Sequence, residues 1–371
     1  MAALDWITVE GFKSIKRIER LHLKPINLLI GSNGSGKSNF IGVFALLREI
    51  RCGRLQEYVR RSGGADKVLH FGSRNTSRLN IHASLGDEAN QYVLTLASNA
   101  EDSLFPLREE CHGSGRRHIL SPSGPETWIS DPDPRNLDRD AAIQDVRMHL
   151  DSWRVYHLHD TSSTSPIKKT ADVDDNRFLR HDGANLAAFL YFLSNKHGDS
   201  YDLIRRTVHL VAPFFDDFQL QPQALNQDKI RLEWRHRGSD AYFDASSLSD
   251  GTLRFIVLAT LLLQPVSLRP SVILLDEPEL GLHPYAITML ASLVRQASVE
   301  TQVVFATQST LLLDHFQPED VLVADRVDGG TKFTRLDAAD LQEWLQDYSL
   351  GQLWEKNQFG GRPVRSGAER Q

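Results

Sequence analysis

Cysteine is scarce: Cys52 and Cys111 are the only two in 371 residues, far apart and outside any Cys-x-x-Cys spacing. That excludes a disulfide framework or a thiolate zinc cluster and suits a reducing compartment. Long apolar runs are missing as well. The longest, Phe255 to Leu263, falls far short of the roughly 20 residues that cross a bilayer, so no membrane role is expected. Met1 to Trp6 shows neither a basic n-region nor an apolar h-region, so no secretory signal is read and a cytoplasmic protein is expected. Positive charge is not in excess. Lys and Arg number 42 against 48 Asp and Glu, a net charge of −6, which excludes adhesion to nucleic acid by bulk charge and leaves only local patches. No internal repeat and no sustained heptad occurs, which argues against solenoids and long coiled-coil arms.

What is present is a phosphate cradle. Gly31-Ser32-Asn33-Gly34-Ser35-Gly36-Lys37-Ser38 fits G-x-x-x-x-G-K-[ST] without exception. Ile26 to Ile30 before it is an apolar run of strand length, and Asn39 to Ile50 after it has the dense apolar pattern of a buried helix. Glycines let successive backbone N–H groups turn toward phosphate, and the helix N-terminus adds positive potential. Lys37 reaches the β- and γ-phosphates, and Ser38 can ligate Mg²⁺. ATP is the expected ligand, with Asn39 at the mouth of the helix also counted among its contacts.

Upstream, Asp5 to Gly11, Ile15 to Leu23 and Ile26 to Ile30 read as strands. Phe12 and Lys13 follow the first of them, an aromatic and a cation that could stack on and pair with an adenine nucleotide. Leu79 to Leu85 and Gln91 to Ala97 alternate around Gly86-Asp87-Glu88, a hairpin signal. From Ser98 to Asp140 the composition predicts loops, with at most brief strands near Ile119 and Trp128. His157 and His159 fall on one face of a predicted strand, a conceivable metal pair without further ligands.

The second half supplies acids. Val272-Ile273-Leu274-Leu275 runs into Asp276-Glu277, a buried parallel strand that presents carboxylates at its end. Phosphoryl transfer needs a cradle, a metal and a group that orients water. Asp276 can complete the Mg²⁺ shell with Ser38, and Glu277 can polarise the attacking water. Thr301 to Ala306 forms a second apolar strand ending at Thr307-Gln308-Ser309, and Leu248-Ser249-Asp250-Gly251-Thr252 opens an almost wholly apolar helix stopped by Pro265.

Together with Asp276-Glu277-Pro278-Glu279 and Leu280-Gly281-Leu282-His283-Pro284, these motifs resemble the ABC-type ATPase heads of the RecF, SMC and OLD-like group. Within it the chain is most similar to compact, stand-alone bacterial ATPases of AAA type. Tyr156 to Ser162, Asp182 to Leu190 and Tyr348 to Trp354 are similar to stretches of that family. The resemblance implies an α/β P-loop NTPase, an ABC-type head with an antiparallel β subdomain and an inserted helical lobe. Residues 1–75 and 246–330 would build the ATPase core, 76–245 the inserted lobe and 331–371 a tail with a helix from Asp337 to Tyr348. It implies that Leu248 to Thr252 is a signature acting in trans, with Ser249 and Gly251 closing on the γ-phosphate of a head-to-tail partner. Gln308 stands where many relatives carry a γ-phosphate-sensing histidine; it can hydrogen-bond a phosphate oxygen or water but cannot become cationic. Asp250 stands where transporters often have Gly, so its carboxylate must point away from the nucleotide. No Q-loop glutamine is evident, Gln56 and Gln91 being poorly positioned.

Three functions follow from this reading. The first is an ATP-driven switch coupled to DNA or to a separately encoded effector such as a nuclease, in a repair or anti-phage role. The second is an OLD-like nuclease, disfavoured because about 40 residues after Gly330 leave no room for such a domain. The third is a scaffold that regulates a partner nuclease with little turnover. Arg60-Arg61, Arg116-Arg117, Lys168-Lys169 and Arg205-Arg206 are candidate phosphate contacts on DNA.

Overall fold

A computed structural model describes residues 4–113, 115–120, 124–130, 141–158, 160–162 and 164–361. Strands rich in Val, Ile and Leu with both faces apolar must be covered on both faces, and the central sheet is built of them. Its spatial order is Gly330–Arg335, Val321–Val327, Ile26–Ile30, Gln302–Ala306, Val272–Asp276 and Trp153–Tyr156. Neighbours pair in parallel except for the hairpin between Val321–Val327 and Gly330–Arg335. Adjacent residues point to opposite faces, so Leu28, Ile273, Leu275 and Phe305 enter one core while Leu29, Leu274 and Val304 enter another.

A second, antiparallel sheet covers one side, in the order Ile15–His22, Leu4–Phe12, Arg78–Leu85, Asn90–Ser98, Leu104–Gly113 and Arg116–Leu120. Between the two sheets lies the helix Lys37–Arg51, its Phe40, Phe44 and Leu47 fully buried. The opposite face carries the helices Leu186–Lys196, Gly198–Val211, Asp250–Leu263 and Pro284–Ala297.

Three elements depart from the sequence expectation. Leu104–Gly113 is a ten-residue strand within the stretch expected to be mostly loop. Its polar character is neutralised by pairing: buried Glu109 accepts from the Tyr92 hydroxyl at 2.8 Å and from the Trp128 and Ile129 amides, while Glu110 is held by Arg108 and Arg117. A register shift opposite Pro106 absorbs the proline. Trp153–Tyr156, inside the expected inserted lobe, is an edge strand of the central sheet. The expected tail helix is broken into Ala338–Leu341, a 3-10 turn at Trp344–Gln346 and a helix at Leu350–Glu355 capped by Ser349.

One side chain ties the sheets together. Gln302, 5% exposed, accepts from the Leu4 amide at 3.2 Å and donates to the Leu4 and Lys24 carbonyls, each at 3.1 Å. Gln302→Leu leaves these buried backbone groups unpaired and should cost about 3 kcal/mol, read as a lower urea midpoint at unchanged slope.

Candidate phosphate-binding site

The fully buried strand Ile26–Ile30 delivers the chain to Gly31 at the carboxyl edge of the sheet. Gly36 then takes φ 110°, a left-handed conformation at the N-cap of the helix Lys37–Arg51. A Cβ there would lie 2.0 Å from Thr331 Oγ1 and 2.7 Å from Ser14 Oγ, so the loop is packed to the backbone. Thr331 donates to the Ser35 carbonyl at 2.8 Å and contacts Ser14 Oγ at 2.8 Å, and Asn39 Nδ2 donates to the same Ser14 oxygen at 2.8 Å. Lys37 is buried, its ammonium donating to the Gly31 carbonyl at 2.7 Å and the Ser32 carbonyl at 3.1 Å. Burial lowers its pKa, opposed by the nearby charges of Glu277, Asp276 and Glu279. Ser32 is half-buried, whereas Asn33, Gly34 and Ser38 are exposed.

The acids arrive on the neighbouring strand but one. Asp276 ends Val272–Asp276, half-buried, opposite Ala306 of Gln302–Ala306. Glu277 follows at φ 44°, rare for a residue with a Cβ, its amide donating to the Ala306 carbonyl at 2.9 Å. That turn brings its carboxylate to Gln308, whose Nε2 donates to Glu277 Oε1. Glu279, two residues on, is almost buried and accepts from Thr307 Oγ1 at 2.6 Å and the Gln308 amide at 3.3 Å, while its Oε2 has no partner. Burial raises its pKa, and the Glu277 charge adds to that.

Ser249 caps the helix Asp250–Leu263, its hydroxyl accepting from the Thr252 amide at 3.1 Å. The Asp250 carboxylate turns to Lys168 at 3.2 Å. Gly251 packs on the loop that follows the acids: a Cβ there would lie 2.3 Å from the Gly281 carbonyl oxygen.

Residues 26–314 match the family described as "AAA domain, putative AbiEii toxin, Type IV TA system". The chain belongs to this AAA family. No curated protein matches it. Among solved structures it is similar to an Smc head bound to the C-winged helix domain of ScpA, at 15% identity and TM-score 0.59, covering 92% of this chain and 99% of the other. It is also similar to an Smc head with an extended coiled coil bound to the C-terminal domain of ScpA derived from Pyrococcus furiosus, at 14% identity, TM-score 0.57 and coverage of 94% and 99%. A third, an Smc head with a coiled coil and joint from Pyrococcus yayanosii, aligns at 12% identity and TM-score 0.52 over 94% and 99%. The fold of this AAA family member is thus that of an ABC-type P-loop ATPase head.

Other expected contacts fall elsewhere in this AAA protein. Phe12 is wholly buried beside Gly42 of the phosphate-loop helix, a correction to its expected role, because an enclosed ring has no face to offer a base. Lys13 lies with its ammonium 5.3 Å from that ring, and burial lowers its pKa. Gln56 donates to the Leu104 and Pro125 carbonyls and Gln91 contacts His82, so both serve the antiparallel lobe. In each basic pair singled out from the sequence, one member meets a carboxylate: Arg61 with Glu49, Arg117 with Glu110, Lys168 with Asp250 and Arg205 with Asp202. His159 lies outside the described residues, and among those described no group of three or more potential ligands could hold a metal. No described helix is long and apolar enough to cross a membrane.

Sequence reasoning missed Thr331, Ser14 and Glu279. Thr331 and Ser14 are ordinary polar residues far from the motif, and nothing local marks them; Glu279 carries a signal in the run Asp276-Glu277-Pro278-Glu279. Since its folded pKa is raised, the native state binds the extra proton, and stability falls as pH rises from about 4.5 through the raised value. Glu279→Gln, its amide nitrogen at the unpaired Oε2 position, should remove that fall; urea midpoints across pH 4–8 for the two proteins check it.

Proposed function

We propose that this protein binds ATP with Mg²⁺, hydrolyses it, and closes head to tail with a second copy, each signature loop completing the other's phosphate site. The observation that carries this reading is the gathering of Lys37, Asp276, Glu277 and Gln308 at the carboxyl ends of adjoining parallel strands. The residues fit the ligand. The loop at Gly36 has no room for a side chain, as a phosphate cradle requires, and exposed Ser38 and half-buried Asp276 supply the hard oxygen donors that Mg²⁺ takes. Bound there, the metal would neutralise charge developing on the phosphate oxygens.

The remaining work falls to the chain. Backbone amides of Gly31 to Lys37 hold the phosphates, and the Lys37 ammonium adds charge to the β- and γ-oxygens. Glu277, aimed by Gln308, accepts the proton of the water that attacks the γ-phosphorus as the bond to the ADP oxygen breaks. Gln308 also senses the γ-phosphate through its amide. Lys13 is the remaining candidate for contact near the base. In this reading Ser249, exposed at the helix start, and half-buried Gly251 close on the nucleotide of the partner.

Coupling to DNA, or to a separately encoded effector such as a nuclease, in repair or anti-phage defence, is part of the same proposal and rests on the resemblance of the motifs to the RecF, SMC and OLD-like heads. The second reading, a nucleotide-binding scaffold with little turnover, shares the same cradle.

Glu277→Gln should bind ATP yet lose turnover by about 100-fold or more. By light scattering with Mg-ATP it should shift from the 41.9 kDa monomer to twice that mass, and Ser249→Arg should abolish the shift. Unchanged mass with ATP bound sinks the trans-acting signature, and unchanged turnover removes Glu277 as the base.

A further inference from the structure

The stretch Tyr348 to Trp354, singled out in the sequence, takes no part in the chemistry above. In the fold it leads to the phosphate loop. Trp354, buried on the helix Leu350–Glu355, walls a cavity of about 310 Å³ together with Gly361, and the other side of that cavity is formed by Ser32 and Asn33 of the loop and by Gln308. Two contacts anchor the segment, one on each side of the site. Gly361 is buried at φ 80°, its amide donating to Asp325 Oδ1 at 2.9 Å, and a Cβ there would lie 3.4 Å from Gly31 Cα and 3.1 Å from Trp354 Nε1. Gly31 is thus gripped from two directions, since a Cβ on it would lie 2.4 Å from the Ala324 carbonyl oxygen. At the other end the Gly351 amide donates to Asp314 Oδ1 at 2.6 Å, and a Cβ on Gly351 would lie 2.7 Å from the Thr310 carbonyl oxygen. Thr310 opens the short helix Thr310–Leu313, two residues after Gln308. One segment therefore touches both the first glycine of the cradle and the backbone just beyond Gln308.

This packing sits where phosphate acts. The Lys37 ammonium has three donor hydrogens and engages the Gly31 and Ser32 carbonyls with them. Phosphate oxygens that draw the ammonium act on those two carbonyls as well, and Gly361 lies against the residue that carries the first of them. The segment's own hold is one of packing: Trp354 Nε1 is buried without a partner, so the indole adds no hydrogen bond to it. Close-packed groups transmit a displacement rather than absorb it.

We propose that Trp354 and Gly361 are positioning residues of the phosphate site, which set Gly31 through packing, and that phosphate occupancy is coupled to the seating of residues 349–361. The inference rests on the reading that the loop binds ATP. Such coupling is reciprocal: if bound ATP steadies the segment, loosening the segment weakens ATP by the same factor.

The test uses the full chain with Glu277→Gln, so that ATP is held without turnover, and titrates Mg-ATP by calorimetry. Adding Trp354→Ala should weaken binding about fivefold or more, and Trp354→Phe, which keeps a ring in place, should restore most of it. Gly361→Ala, whose Cβ presses toward Gly31 Cα, should weaken binding without opening a cavity. Leu193→Ala is the control: it removes a fully buried side chain from the helix Leu186–Lys196, so it lowers the thermal midpoint and leaves ATP affinity unchanged. Hydrogen exchange read by mass spectrometry follows the coupling in the other direction. Amides of residues 349–361 should exchange more slowly with Mg-ATP, and should do so still when Ser249→Arg is added to prevent dimerisation. Unchanged exchange with ATP bound overturns the coupling, as does protection that vanishes with Ser249→Arg, which would belong to a dimer contact. ATP affinity unmoved by Trp354→Ala and Gly361→Ala, or lowered as much by Leu193→Ala, overturns the positioning role. Absence of ATP binding before Trp354 or Gly361 is altered overturns the proposed function itself, and this inference with it.

Discussion

The phosphate loop depends on holding Gly31, Gly34 and Gly36 at positive φ, where glycine is favoured, at the edge of the central sheet. A loop that aims several N–H groups at one point repels itself and loses entropy, so something outside it must hold it. The buttress is tertiary: Thr331 and Ala324 belong to the last two strands of the sheet, and Ser14 to the turn between the first two strands. Thr331 and Ala324, hundreds of positions away, thus set the loop together with Ser14, and the first and last thirds of the chain cannot be separated from each other.

Electrostatics then follows from geometry. The strands Ile26–Ile30, Gln302–Ala306 and Val272–Asp276 end side by side, so a lysine, two acids and a glutamine meet without any of them being adjacent in sequence to all the others. Lys37 is desolvated, which disfavours its charge, and the carboxylates around it restore part of that loss. Glu279 is the counterpart on the acidic side, its negative form penalised by burial and by Glu277 while Thr307 and the Gln308 amide hold its one paired oxygen. It fixes Gln308 from behind, and Gln308 in turn fixes Glu277. Because Gly251 lies against Gly281, the helix Asp250–Leu263 is packed on the loop that follows these acids, so a shift in either is felt by the other.

The α/β fold class, the strands flanking the loop and the early hairpin were legible because their patterns are local. A strand buried on both faces is aliphatic throughout, and a hairpin alternates around glycine. Leu104–Gly113 was illegible for the opposite reason. Its Pro106, Glu109 and Glu110 read as loop until a neighbouring strand, a tyrosine and two arginines satisfy them. Phe12 was misread because an aromatic beside a glycine looks the same in sequence whether it faces a ligand or the interior.

The sequence by itself determined that a phosphate-binding loop stands between a strand and a helix, and that two acids end another strand, since those patterns follow from side-chain period and from the glycines a cradle needs. Only the tertiary structure decided which strands adjoin, that Thr331 and Ser14 wall the loop, and that Gln302 ties the first strand to the central sheet. Strand order and long-range packing depend on how whole faces fit, and no short window of sequence contains that information.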